Sequence, residues 1–309
     1  MTEKKSEAKR HHFIPKFIIR NFSSNELGFV RFFNKKLKEF SNEPIEEIFK
    51  YDNLYRDEIN IPDDPVKIEK DFSRYEGEIA QLLKNKFLHG DDITITIEEN
   101  ESLMLFLALM HFRSKHILPT FSSKASDRTK KYYSRYQKDG DLLSMWKRNL
   151  AQLVNCRSIE EVMQNNAIDL PFKNFMMRDT IGLWGLYFII AERRGGEDFF
   201  LSDLYPVVLF GVLDDETQLP MMSFFPISPN RIIIVCNNGV EAARQEVRHF
   251  DKSFFNKPHL LKNNVGYKFH VRKIYEPDVR FINDMFYENT KEGIVLYDQE
   301  RFFVNERNK

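Results

Sequence analysis

Two adjacent histidines, His11 and His12, lie in the stretch Lys9-Arg10-His11-His12-Phe13-Ile14-Pro15-Lys16-Phe17-Ile18-Ile19-Arg20-Asn21-Phe22. An imidazole titrates near neutral pH, so either ring could serve as a general acid or base. Arg10, Lys16 and Arg20 supply cations for an anionic substrate, and a guanidinium suits a phosphate through paired hydrogen bonds. Pro15 restricts Ile14 to an extended conformation and is itself at ease as the first residue of a helix. The stretch therefore reads as an extended His-His segment feeding a short helix, whose first N–H groups, around Lys16 and Phe17, favour an anion. Neighbouring side chains on an extended segment point to opposite faces. One histidine is expected to face the site while the other packs or bonds backbone, which disfavours a two-histidine metal clamp. A divalent metal would need distant ligands such as Asp203, His111 or His249. Burial of both rings against backbone partners would instead make them anchors, and the enzymatic reading built on the histidines would then fail at its first step.

Further candidates are scattered along the chain. Ser202-Asp203 sits where a strand gives way to a turn, a place from which Asp203 could orient a histidine or bind a metal, although Ser, Asp and a nearby Pro also make an ordinary turn. His111, Arg113 and His116 lie at the polar end of an apolar run, where they either line a cavity, with Arg113 toward a substrate, or cap a helix C-terminus. Arg20 has a plain alternative as the partner of a carboxylate. Ser228-Pro229-Asn230 reads as a turn, since no glycine-flanked elbow surrounds Ser228. The stretch 128–136 interleaves Arg128, Lys130, Lys131 and Arg135 with Tyr132, Tyr133 and Tyr136, which is the composition of a nucleic-acid contact surface, although an amphipathic helix with its tyrosines packed inward is the favoured reading.

Composition narrows the classes. No P-loop, dinucleotide-binding glycine fingerprint, H-E-x-x-H or zinc-ribbon spacing occurs, so nucleotide-driven motors and the common zinc hydrolases are disfavoured and no nucleotide cofactor is expected. The two cysteines, Cys156 and Cys236, match no metal-ligand spacing and fit a reducing compartment. Formal net charge is zero over 309 residues, but it is segregated: residues 1–40 hold ten Lys/Arg against four Asp/Glu, 111–148 ten against three, and 57–101 five against thirteen. A basic surface can form where the first two segments meet. The opening residues carry no apolar signal core and the most apolar window, 181–191, is too short for a bilayer, so a soluble, cytoplasmic protein without membrane contact is expected.

The elements that must position these groups read as α+β. Residues 28–33 and 37–40 flank Asn34-Lys35-Lys36 as a β-hairpin. An amphipathic helix over 68–83 places Ile68, Phe72, Tyr75, Ile79, Leu82 and Leu83 on its core face and ends near His89-Gly90. Thr96 and Glu99 form a capping box ahead of the apolar residues 103–110, which predict a buried helix. Residues 124–150 give a basic helix broken at Asp139-Gly140, Ser158 and Glu161 cap a short one, and 172–194 reads as an apolar helix containing Trp184 and stopped by Gly195-Gly196. Short strands follow at 199–201, 206–212, 221–227 and 231–236, then a helix over 240–255, a strand over 267–274, a helix over 278–288 and a terminal strand or pair over 294–304. The expectation is a single α+β domain over 1–309, divisible at 196, in which an N-terminal hairpin and helical middle pack with a mainly β C-terminal third that pairs with the hairpin.

The opening stretch resembles domain-of-unknown-function family 4238, whose members begin His-His-aromatic-x-Pro-x-Phe-x-x-Arg-x-Phe, here His11 to Phe22. Asn53-Leu54-Tyr55, the helix around Glu69 and Glu76, Ser202-Asp203-x-x-Pro206 and Pro226-Ile227-Ser228-Pro229 also resemble the family pattern, with two residues before Pro206 where the family has one. The resemblance implies a fold and no activity. The residues point to a nuclease-like phosphodiester hydrolase with His11, His12 and Asp203 in catalysis and Lys16, Arg20 and Arg113 on the substrate, compatible with a phage-defence effector. The alternative is a non-catalytic sensor or binding module for a phosphate-containing ligand or a nucleic acid.

Overall fold

The computed structural model describes residues 10–24, 28–137, 141–180, 186–212, 218–237, 250 and 252–297. The chain enters as a short strand, β1 (Arg10–His12), paired antiparallel with β4 (Lys50–Asp52) so that His11 faces Tyr51 and His12 faces Lys50 across the ladder. Pro15 is extended and caps α1 (Lys16–Arg20), a helix of five residues. The expected hairpin forms as β2 (Phe29–Asn34) and β3 (Glu39–Pro44), its turn held by the Asn34 side chain, which accepts from the Lys36 and Leu37 amides at 3.0 Å each.

The helical middle begins with α2 (Lys67–Leu82), continued by a π-helical turn over Leu83–Phe87. After β5 (Asp92–Thr96) the capping box is complete: Thr96 Oγ1 accepts from the Glu99 amide at 3.2 Å and Glu99 Oε2 from the Thr96 amide at 2.8 Å. These bonds satisfy two first-turn donors and start α3 (Ile97–Arg113), which is buried from Leu103 to Met110. The basic region splits into α4 (Asp127–Tyr133) and α5 (Leu142–Leu153), with residues 138–140 outside those described. Ser158 Oγ caps α6 (Ile159–Gln164) at the Glu161 amide, and α7 (Leu170–Thr180) follows.

One expected helix is overturned. Residues 172–194 split into α7 and a strand, β6 (Tyr187–Arg194), which lies inside a sheet of five, with 181–185, Trp184 included, outside the described residues. A run that is apolar on every side cannot distinguish a buried helix from a buried strand. The aromatic and β-branched content of Tyr187-Phe188-Ile189-Ile190 decides for the strand. Its alternation then serves two cores: Phe188 and Ile190 join the helical core, while Ile189 and Ala191 join a second core with Val279, Ile282 and Phe286.

The C-terminal third is β-rich as expected. The sheet of five runs β13 (Arg272–Tyr275), β6, β10 (Arg231–Cys236), β9 (Gln218–Ser228), β8 (Val207–Val212). A sheet of three orders β11 (His259–Leu260), β12 (Gly266–His270) and β5. The remaining sheet, β3-β2-β14-β7, joins the hairpin to β14 (Gly293–Leu296) and β7 (Leu201–Ser202), so the C-terminal third pairs with the N-terminal hairpin. Gly293 allows that pairing, because a Cβ there would stand 2.1 Å from the Phe32 ring. Helix α8 (Glu276–Asn289) packs on the second core. The expected strand over 267–274 is two, divided at Val271, and the expected helix over 240–255 lies almost wholly outside the described residues, leaving a 3-10 turn at Lys252–Phe255. Among the described residues no helix is long and apolar enough to cross a membrane.

Candidate functional site

Three segments far apart in sequence meet at the C-terminal end of α3. Asn53 takes a left-handed conformation with φ of 54°, which asparagine tolerates better than most residues. The turn brings the Tyr55 amide to the His11 ring, donating to Nδ1 at 2.9 Å, and stacks the two rings 5.6 Å apart. An accepting Nδ1 carries no proton, so the neutral His11 tautomer has its hydrogen on Nε2. On the other face of β1, His12 Nε2 donates to the Ile45 carbonyl at 3.2 Å. Both histidines are buried and bonded to backbone. They alternate as an extended segment should, but the strand is enclosed on both sides, so neither face is left for a site. The expectation of one poised imidazole is therefore corrected to a pair of anchors. Burial, reinforced by Lys16, Arg113 and Lys50 and only partly opposed by the Ile45 bond, lowers the His12 pKa to about 4.

Arg113, expected to reach a substrate, is instead fully buried. Its Nη2 donates to the His12 carbonyl at 2.6 Å and its Nε to the Tyr55 hydroxyl at 3.3 Å, while Nη1 pairs with Glu76. The guanidinium also lies 4.2 Å from the Phe72 ring centroid. Tyr55 Oη donates to the Arg113 carbonyl at 2.6 Å and Trp146 Nε1 to that of Phe112 at 3.2 Å, satisfying two orphan carbonyls of the helix end. Burial works against the Arg113 charge, but Tyr55, Glu76 and Glu69 raise its pKa above the ordinary value. Every nitrogen of this guanidinium is committed within the cluster, so it positions its neighbours.

Glu69 is the group that sequence reasoning missed. It stands seven residues before Glu76 on α2, and that spacing returns to nearly the same helical face, toward Arg113. The signal lies in the two glutamates next to core positions Ile68 and Tyr75, whose charge alone would place them toward solvent. Glu76 has found Arg113; Glu69 Oε2 is buried with no hydrogen-bond partner among the described residues. Burial, with Glu76 adding to it and Arg113 and Lys16 opposing it, raises the Glu69 pKa to about 7. Lys16 is exposed. Arg20, one turn further along α1, is also exposed and pairs with no carboxylate among the described residues. Helix α1 is a single turn, too short to build the axial dipole expected to hold an anion, and the positive group available there is the Lys16 ammonium.

Asp203 is not part of this cluster. It is fully buried, accepts from the Lys291 and Glu292 amides at 3.0 and 3.2 Å, and lies 3.3 Å from His116 Nε2, which also reaches the Asp203 carbonyl at 3.2 Å. It does orient a histidine, but that histidine is His116. The pair ties the segment after α3 to the turn before β14, beside an edge-on Phe13–His116 contact at 6.2 Å. Asp203→Ala would strand two amides, each costing about 1–3 kcal/mol when left unsatisfied; a loss of roughly 2–4 kcal/mol in urea unfolding is expected, and a smaller one for Asp203→Asn, which keeps one acceptor. His111 packs edge-on to Phe175 and Phe225, and His249 lies outside the described residues. Among the described residues no three His, Cys, Asp or Glu side chains gather closely enough to hold a metal ion. Ser228 forms the expected turn, accepting from the Arg231 amide at 3.1 Å.

A family model described as "Protein of unknown function (DUF4238)" matches residues 10–300. The chain belongs to the DUF4238 family. No curated protein and no solved structure matches it significantly. Within the DUF4238 signature as it stands in this chain, His11-His12, Asn53-Leu54-Tyr55 and the Glu69/Glu76 face converge on Arg113, whereas Ser202-Asp203 belongs to the separate His116 contact.

Proposed function

We propose that the protein is a hydrolase acting on an anionic, phosphodiester-type substrate, with Glu69 transferring the proton and Lys16 holding the negative charge. One observation supports the reading: in a cluster where Arg113, Glu76, Tyr55 and His12 are hydrogen-bonded and His11 accepts at Nδ1, the Glu69 carboxyl keeps an enclosed oxygen without a hydrogen-bond partner among the described residues. A carboxyl that titrates near 7 is half protonated at neutral pH, where general acid–base transfer is most effective. As the base it would take a proton from water while the new O–P bond forms; as the acid it would return that proton to the leaving oxygen as the old O–P bond breaks. Arg113 ties α2, which carries Glu69, to the first strand through Glu76 and the His12 carbonyl, and His11 and His12 hold the segment that carries Lys16.

The anchoring of both histidines favours a second reading, a binding module without turnover. Cleavage of single- and double-stranded DNA and RNA, with and without divalent metal, separates the two. Glu69→Gln is expected to lower turnover about 10²–10⁴-fold while substrate binding persists, and Lys16→Ala to weaken binding. Unchanged turnover in Glu69→Gln sinks the proposal. Salt-dependent binding by wild type with no turnover under any condition leaves the module.

A further inference from the structure

The basic run around α4 has a three-dimensional order that its composition alone does not give. Residues 124–137 contain five Lys/Arg, at 124, 128, 130, 131 and 135, against the single Asp127. Tyr133 pins the helix to the body through Phe121 and Phe172, at centroid distances of 5.1 and 6.2 Å, and Tyr136 is half-buried, its carbonyl accepting from Arg148 at 3.3 Å. Two of the three tyrosines thus pack inward, as an amphipathic helix requires.

Tyr132 does not. It is 46% exposed, edge-on to Tyr133 at 5.0 Å. Arg128, Lys131 and Tyr132 follow the spacing i, i+3, i+4 on α4, so two exposed cations flank one exposed ring on a single helix face, and a third exposed cation, Arg135, stands in the turn after the helix ends at Tyr133. Among the described residues none of the five basic side chains has a carboxylate partner. Over the acidic stretch 57–101, by contrast, Lys67, Lys70 and Lys86 pair with Asp71, Asp64 and Glu99. Like charges at these spacings destabilise a helix, so the pattern does nothing for the stability of α4 itself. It leaves a positive field that is not neutralised within the described residues.

We infer that the exposed face of α4 and the turn after it are a docking surface for single-stranded nucleic acid, with Arg128, Lys131 and Arg135 on phosphates and Tyr132 stacked on a base. The seven residues of α4 span about 10 Å and Arg135 follows in the next turn, a length over which an unpaired strand presents more than one phosphate. The ring selects this occupant over other polyanions, because base stacking on an exposed aromatic needs a base already free of its duplex. The inference names the substrate class for the proposed hydrolytic site and rests on that reading only for the cleavage step, not for binding itself.

Fluorescence anisotropy of labelled dT20 and rU20 tests it across a salt series. Wild type is expected to bind with a linear fall of log K against log salt, about 0.7 per phosphate neutralised. The triple variant Arg128→Ala/Lys131→Ala/Arg135→Ala should reduce that slope by about 2 and the affinity more than tenfold at low salt. Tyr132→Ala should weaken binding at least fivefold and Tyr132→Phe should restore it. All altered side chains are exposed and the removed cations repel one another, so thermal melts at or slightly above wild type accompany the charge-variant losses. Absence of binding by wild type, or equal binding by the triple variant, overturns the inference. So does equal affinity for a duplex with no effect of Tyr132→Ala, which would mark a general polyanion surface, and so does stronger binding to anionic phosphatidylglycerol vesicles than to either oligonucleotide. The same titration on Glu69→Gln keeps the two proposals apart: retained binding without cleavage supports both, and cleavage with an inert α4 face removes this one alone.

Discussion

Replacing Arg113 with methionine is expected to lower the free energy of unfolding by about 3–5 kcal/mol, the loss seen when one partner of a buried ion pair is removed. The size comes from the groups the guanidinium leaves behind. Glu76 would keep a carboxylate, 17% exposed, without its counter-ion, the His12 carbonyl would lose a 2.6 Å donor, and the Tyr55 hydroxyl would lose a 3.3 Å contact. Methionine retains much of the volume against Phe72, so the loss reports polar partners more than a cavity. Adding Glu76→Gln should recover part of the loss by removing the stranded charge, and the non-additivity of the pair measures their coupling. Urea unfolding of the four proteins is the measurement; a loss below about 1 kcal/mol for Arg113→Met would mean that the cluster is far more hydrated than its burial indicates.

The second large effect is hidden in wild type. His12 titrates near 4 in the folded protein against an ordinary 6.5, so the unfolded chain binds the extra proton and stability is lost as pH falls from about 6.5 toward 4. Glu69 titrates near 7 against 4.5, so the folded protein binds the extra proton and stability is lost as pH rises from about 4.5 toward 7. Each shift is worth roughly 3 kcal/mol at full extent, and across the shared window from 4.5 to 6.5 the slopes oppose. Wild type should therefore show little net contribution from this pair there. His12→Gln, which cannot take up the proton, should expose the Glu69 slope and become less stable from pH 4.5 to 6.5. Glu69→Gln should expose the His12 slope and become more stable over the same interval. Chemical denaturation at four pH values reads both, and parallel pH profiles for the two variants would contradict the assignment.

The sequence is most legible where local chemistry decides the outcome. The Asn34 turn, the Thr96–Glu99 box and the Ser158 cap each depend on residues within a few positions, and all three form as those residues predict. The α+β outline and the pairing of the C-terminal third with the hairpin are also readable, from strand spacing and turn residues. Reading fails where burial is set by distant partners. Residues 187–190 are apolar on both faces and become a strand because a sheet receives them. His11 and His12 carry the right alternation, but nothing local shows that Tyr55 and Ile45 close both faces of the strand. Glu69 and Glu76 share a spacing and a residue type and differ only in which one reaches Arg113, a distinction that exists only in three dimensions. For Asp203 a histidine, a metal or a plain turn are all open from the sequence, and only the fold shows that it meets His116.

Strand β2 pairs on one side with β3, its neighbour in sequence, and on the other with β14, where Asn34 lies opposite Gly293, 259 positions later. A ribosome adding about 5–20 residues per second needs roughly 13 to 50 seconds to supply that second partner. Until then β2 lacks its second partner, and a two-stranded hairpin alone is only marginally stable in water; wherever it does form, its open edge with Phe32 and Phe33 beside it is of the kind that recruits strands from other chains. Lys35, Lys36 and Lys38 stand at the turn of the same hairpin, where positive charge disfavours such recruitment. In the folded protein Lys35 donates from its ammonium to the Tyr287 and Thr290 carbonyls at 2.6 and 2.8 Å, so the hairpin turn is clasped to the end of α8 just where β14 completes the sheet.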